Sequence, residues 1–264
     1  MTLVNTNQWQ WRDGALTCEL LADWKHGFFT RSHAPKLPVD LHHHLATSGR
    51  AYRVKQVHGN RLVHADDIKA DADMPLPEAD GVWITRDRLA NNHANNQENC
   101  SVWVCSADCV PVLIGDRQSG AVAAVHAGWR GTASGIVTKA IATLCDRGSE
   151  LKDLRVALGP AISGQVYQVS QDVAQQVTAT LNPLNQSVGV HPDDHPERVK
   201  LDLRQVQVQQ LQELGLSLEH VAIAPYCTLR DEEIFFSYRR YFLNNPHPHP
   251  RAPQIQWSGI AIAA

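Results

Sequence analysis

Three side chains in this sequence have the types and settings for chemistry. His58 stands before Gly59-Asn60, Cys109 follows Ala107-Asp108, and His126 precedes Ala127-Gly-Trp-Arg-Gly131. A Cys/His2 set gives zinc three protein ligands and leaves a fourth position open, the usual catalytic arrangement. Donor types alone leave copper and iron possible. Cys109 and His126 without His58 would instead be a nucleophile and its base. Plainer fates compete with both. Cys109 could be one more buried thiol, His126 a core histidine bonded to backbone, and His58 a surface residue of a turn.

The elements that must position them follow from apolar patterning. Val110–Ile114 and Ala121–Val125 bracket Asp116-Arg-Gln-Ser-Gly120, which is turn chemistry, so the pair reads as a β-hairpin. Antiparallel pairing then brings Cys109, at the start of one strand, beside His126, at the end of the other. Arg53-Val-Lys-Gln-Val-His58 alternates and stops at Gly59, which predicts a strand ending on His58, with Arg61–His64 as its returning partner. Beyond Gly128-Trp-Arg-Gly131 the spacing predicts a helix over 133–145 capped by Thr132 or Ser134. That helix start also offers N–H groups to an anion, with Arg130 alongside. Further helices are expected over 170–181, capped by Ser170, and over 201–214, closed by Gly215. Strands are expected at 24–31, 79–85, 154–158, 221–224, 233–240 and 255–263. Segment 32–50, with His42-His-His44, reads as an exposed loop, and 91–99 as a loop or capping stretch. The expected whole is one mixed α/β domain over 1–264.

Composition narrows the function classes. The chain has 264 residues, 43% hydrophobic and 19% charged, enough to bury a sizeable core. A formal net charge of -3 gives no electrostatic case for nucleic acid or an anionic membrane. No apolar run reaches membrane-spanning length and the N-terminus lacks a secretory pattern, so the cytoplasm is the expected location. The 6 cysteines form no CxxC pair, which argues against a zinc ribbon and for reduced, mostly buried thiols.

Val57-His-Gly59, Ser106-Ala-Asp-Cys-Val-Pro-Val-Leu-Ile114, His126-Ala-Gly-Trp-Arg-Gly131, Leu158-Gly-Pro160 and Phe235-Phe-Ser-Tyr-Arg-Arg240 together resemble the YfiH-like family. That family has been labelled multicopper polyphenol oxidase, or laccase-domain, and also purine nucleoside phosphorylase. The resemblance runs from about His26 to Arg240. It implies an α/β/β/α fold and a zinc ion held by His58, Cys109 and His126. It also implies phosphorolysis of adenosine, inosine and methylthioadenosine, with adenosine deamination as a second activity. The chain departs from the family after His26-Gly-Phe-Phe-Thr-Arg31, where Ser32-His-Ala-Pro and the histidine triplet replace a Gly-Gly-Val-Ser segment. It departs again after Gly159-Pro160, where Ala161-Ile-Ser-Gly-Gln-Val-Tyr167 replaces a cysteine-containing segment. Neither change removes a ligand.

Under this reading Cys109, His126 and Asp108 are the catalytic candidates, with Asp108 either shuttling protons or capping a turn. Arg31, Arg130 and Arg239 are the candidates for a phosphate cradle. The expected partners are a purine nucleoside and phosphate. Copper oxidase chemistry is the weaker reading, because a blue multicopper site needs paired His motifs with a Cys flanked by His, and only His247-Pro-His249 is present. Cys109 and His126 could also serve a cysteine hydrolase, or an amidase that edits peptidoglycan precursors. A non-catalytic scaffold would instead close a structural metal site with a fourth ligand such as Cys227.

Overall fold

The structure is a computed structural model, described here over residues 8–46, 48–69, 75–86, 100–245 and 254–262. Its centre is the expected hairpin, β8 (Val110–Asp116) paired antiparallel with β9 (Val122–Ala127), with Pro111 opposite His126. Every residue of both strands is buried, so their side chains feed cores on both faces. Val110, Val112 and Ile114 point one way, with Ala123 and Val125; Leu113, Val122 and Ala124 point the other. This is the period-2 alternation of a strand between two layers.

On the first face lie the helices α3 (Ile136–Cys145), α4 (Gln171–Thr178) and α5 (Leu203–Glu213). On the second lies another sheet. β8 and β9 belong to a six-stranded sheet ordered β14-β10-β8-β9-β6-β5, where β5 is Leu62–His64, β6 Gly81–Ile84, β10 Leu154–Leu158 and β14 Val221–Ile223. The facing sheet is ordered β1-β2-β3-β15-β7-β4, from β1 (Trp9–Arg12), β2 (Ala15–Cys18), β3 (His26–Phe28), β4 (Ala51–Tyr52), β7 (Ser101–Ser106) and β15 (Gln256–Ala261). Val102 and Val104 on β7 meet Leu113, Val122 and Ala124 across the gap. A small cluster of Phe29, Leu41, Leu45, Trp103 and Trp257 covers the outer face, beside the one-turn helix α1 (Pro38–Leu41). A third, three-stranded sheet joins β11 (Gln168–Ser170), β13 (Arg198–Leu201) and β12 (Val190–Pro192). The α/β/β/α layering is as expected. No helix among the described residues is long and apolar enough to cross a membrane.

Several local expectations give way. Residues 53–58 form no strand; a single bridge, Lys55 to Glu78, stands there, and β5 pairs parallel with β6 instead. The alternation of Arg53–His58 reflects one buried residue, Val54, and a reach by Gln56, whose amide exchanges hydrogen bonds with the Cys105 backbone at 2.7 and 2.8 Å. The helix expected over 133–145 is split into α2 (Trp129–Ala133) and α3, because Gly135 takes φ 68 between them. Neither Thr132 nor Ser134 caps α3. Ser170 does cap α4, and Asp202 caps α5 through the Arg204 and Gln205 N–H groups. Residues 238–244 are a helix, α6 (Tyr238–Asn244), where a strand was expected, and Ser237 caps it. His42 is buried, bonding Ser101 Oγ at 2.6 Å and Ser48 O at 2.9 Å, so the histidine triplet is not simply an exposed loop. The 91–99 expectation lies outside the described residues.

One buried histidine sets an acid limit on this fold. His26 on β3 accepts from the Cys18 N–H at 2.8 Å and meets Trp24 O at 2.9 Å, which fixes it as a neutral ring. Burial, partly offset by the Trp24 carbonyl, brings its pKa down from 6.5 to about 4. The native state therefore declines a proton that the unfolded chain accepts. Its contribution is whole above pH 6.5 and is lost as pH falls toward 4, by up to ~3 kcal/mol. Urea unfolding of wild type and His26→Gln should show the stability gap between them shrinking by that amount over this window. A gap that stays constant would contradict the assignment.

Candidate metal centre

The chain crosses from one sheet to the other at 107–109, between β7 and β8, and Asp108 makes the crossing at φ 97. The sharp turn delivers Cys109 to the foot of β8, next to His126 near the end of β9. His58 arrives from a turn, not a strand end, at φ 61. The ligand atoms of His58, Cys109 and His126 lie within 4.8 Å of one another, and the two imidazoles meet edge to face at 4.9 Å and 87°. His126 is buried, Cys109 half-buried and His58 exposed, so the trio opens to solvent on the His58 side.

Asp80 holds two of the three ligands in place, although nothing in the sequence marks it beyond an Ala-Asp-Gly before a strand. It is fully buried. Its carboxylate accepts the N–H groups of Val57, His58 and Gly59 at 3.2, 2.9 and 2.7 Å, and so shapes the turn that carries His58. It also accepts from His126 Nδ1 at 2.9 Å. That bond puts the proton of the neutral ring on Nδ1 and turns the Nε2 lone pair toward the cluster, as in carboxylate–histidine–metal triads. Burial works against the Asp80 charge, but His126 and the backbone donors hold its carboxyl below the usual carboxylate range.

The electrostatics fit a cation. Burial opposes the Cys109 thiolate, yet the charge of His126 and hydrogen bonds from both histidines bring the thiol down to about 6. His126 goes up to about 9; burial opposes this, while the Cys109 thiolate and Asp80 outweigh it. The thiolate a metal needs is thus already favoured, and the second imidazolium proton is the one that binding would release. Among the described residues no fourth His, Cys, Asp or Glu joins the trio. Cys227 in particular accepts from the Ser163 N–H at 3.3 Å and stands outside it.

Gly128 makes room for the cluster. A Cβ there would sit 2.8 Å from Cys109 Sγ and 3.4 Å from His58 Cδ2. Its φ of -74 suits alanine, so Gly128→Ala tests space rather than backbone strain. Overpacking of this kind costs ~1–3 kcal/mol, and displacement of Cys109 Sγ by the added methyl predicts metal affinity reduced about tenfold or more. Competition with a chelating dye reads the affinity; an unchanged value would remove Gly128 from the requirements of the site.

The other sequence candidates separate. Asp108 has its carboxylate engaged by Thr228 Oγ1 at 2.6 Å, Ser237 Oγ at 3.0 Å and the Arg239 N–H at 2.7 Å. It ties the start of α6 to the Cys109 crossing. Arg239 then reaches over the Tyr167 ring, 5.3 Å from its centroid, and donates to Gln168 O at 3.0 Å. Arg240 is spent on the carbonyls of Thr228, Leu229 and Phe235. Arg130 is exposed on α2 and stacks on Trp129 at 4.3 Å. Arg31 packs on Phe236 and donates to Glu232 O. Tyr167 is the second residue that sequence reasoning passed over. Burial and then the Cys109 thiolate push its hydroxyl up to about 12, against Arg239 and Arg130, so it stays a proton donor beside the cluster.

Comparison with known proteins agrees with this fold. A family model described as multi-copper polyphenol oxidoreductase laccase matches residues 40–245. A protein of Synechocystis sp. named purine nucleoside phosphorylase slr1573 is 43% identical over 272 residues, covering 96% of each chain. Adenosine deaminase RL5, from an unknown prokaryotic organism, is 28% identical and covers 72% of this chain and 70% of its own. The crystal structure of YlmD from Geobacillus stearothermophilus superposes with a TM-score of 0.77 at 23% identity, over 97% of this chain and 99% of that one.

Proposed function

The chain belongs to the multi-copper polyphenol oxidoreductase laccase family, also called YfiH-like, and from that membership we propose that it is a zinc-dependent purine nucleoside phosphorylase. Its substrates are adenosine, inosine and methylthioadenosine, with adenosine deamination as a second activity. The observation that carries this reading is the three-donor cluster with one side open and no fourth protein ligand among the described residues. A closed four-ligand site would favour structure over catalysis, and this one is not closed. One thiolate and two imidazoles suit zinc; the single cluster does not supply the several histidine sites of a copper oxidase.

A zinc ion held by His58, Cys109 and His126 would supply a Lewis acid at the open side. The residues around it do the rest. Asp80 fixes the His126 tautomer and the His58 turn. In phosphorolysis a phosphate oxygen bonds to the ribose C1′ as the bond to the purine nitrogen breaks, and the purine leaves with a proton. Arg130 and Arg239 offer cations to that phosphate, and Tyr167 offers a hydroxyl donor. We assign Asp108 to positioning, because its carboxylate is occupied by three donors. Arg31, turned toward Glu232 and Phe236, takes no part in the cradle. We place the protein in the cytoplasm, where its 6 free thiols stay reduced.

A second reading has a specific observation behind it. A thiol near pKa 6 beside a histidine held by a buried aspartate is also the layout of a cysteine nucleophile with base and orienter. Metal analysis combined with assays on adenosine and inosine, with and without phosphate, separates the two. Turnover that needs both phosphate and about one zinc per chain supports the first. Absence of purine turnover, with stoichiometric alkylation of Cys109, supports the second.

A further inference from the structure

A second groove, of about 920 Å³, opens between the β12–β13 pair, the start of α5 and the segment after β14. None of the three metal-centre donors lines it. At its wall is Arg204, only 6% exposed, whose Nη1 donates to Ala224 O at 2.7 Å and Tyr226 O at 3.0 Å. Its Nε is buried without an acceptor, and the hydroxyl of Ser163 on the same groove is buried without a partner. A buried guanidinium carries a desolvation cost that a carboxylate usually offsets. Here the nearby acids are used otherwise. Asp202 caps α5 through backbone N–H groups, and Asp231 accepts the Cys227 N–H at 2.7 Å. Lys200 and Arg230 line the same groove, and among the described residues neither they nor Arg204 form an ion pair with a carboxylate.

We propose that this groove is a second ligand site that binds a phosphate group, free or as the monoester of a small sugar. Arg204, Arg230 (which donates to Gln165 Oε1 at 2.5 Å) and Lys200 line this one groove, their three positive charges outnumber the two aspartates on its wall, Asp202 and Asp231, and a tetrahedral dianion answers that set. The volume exceeds what one phosphate fills, and Pro225 and Tyr226 give it a less polar side for the rest of an ester.

Calorimetric titration of the full chain with inorganic phosphate, ribose 5-phosphate and ribose tests this. The variants are the double change Lys200→Glu with Arg230→Glu, at half-buried and exposed positions, and Arg239→Ala, which removes the phosphate contact proposed at the metal centre. Ribose 5-phosphate should bind saturably, weaken at least tenfold in the double variant, and persist in Arg239→Ala. Inorganic phosphate binding as tightly as the ester assigns the groove to free phosphate; a tighter ester assigns it to the ester. Ribose binding as well as its phosphate, no saturable binding, or binding unchanged in the double variant overturns the proposal. So does binding lost only in Arg239→Ala. The result stands or falls apart from the metal-centre reading, because a chain that never turns over purines can still titrate here.

Discussion

Cys109→Ala protein should purify with only traces of zinc and lose phosphorolysis by ~10³-fold or more, about 4 kcal/mol of transition-state stabilisation. The thiolate is the one anionic donor of the three. Two neutral imidazoles, one of them on an exposed turn, are left to hold a dication. The fold should survive, since Cys109 is half-buried and alanine keeps its Cβ. Cys227→Ala is the matched control, because that buried thiol bonds the Ser163 N–H and should leave the metal content intact. Elemental analysis and initial rates on inosine with phosphate read both variants. Metal-free Cys109→Ala protein with full phosphorolysis would sink the zinc assignment outright.

Asp80→Asn should damage the site and the fold together. Bound metal should weaken 10–100-fold, the usual effect of losing the partner that orients a ligand histidine. Stability should fall by ~3–5 kcal/mol, because a fully buried carboxylate that answers four donors is replaced by an amide with one acceptor oxygen. The amide NH2 then faces N–H groups, and each orphaned donor costs ~1–3 kcal/mol. The pH dependence has a definite sign. The native carboxyl is held below its ordinary value of 3.8, so its contribution is present above that value and is lost as pH falls through the depressed one. Asp80→Asn should lack that part of the acid transition. Denaturation curves at pH 7 and at stepped values well below pH 3.8 measure it, and a variant with wild-type stability at pH 7 would show that the carboxylate does not organise the 57–59 turn.

The hairpin was legible because its two strands carry the signals sequence shows best, apolar runs around a polar turn. The ligand pair Cys109 and His126 came with it, through antiparallel register alone. His58 was legible as a residue and misread as a place. Its segment alternates like a strand, but the pattern comes from Val54 packing inward and Gln56 bonding Cys105, not from a ladder. Asp80 was invisible. One aspartate before a strand is indistinguishable from a turn residue until the backbone brings three N–H groups and an imidazole around it. The arginines illustrate the same limit. Arg239 and Arg240 are neighbours in sequence, yet a helix where a strand was expected sends one toward Tyr167 and the other into three carbonyls.

The three ligands come from the 57–59 turn, the sheet crossing and the end of β9, so they are remote from one another along the chain. An ion bound to all three therefore closes two loops, a shorter one from Cys109 to His126 and a longer one from His58 to Cys109. Covalent closure of a loop of about 15 residues is worth ~3 kcal/mol of unfolded-chain entropy, and coordination acts on the same quantity as long as it holds. A bound ion would thus also tie the 57–59 turn to the sheet crossing and the end of β9, and stripping it should lower the unfolding midpoint as well as the activity.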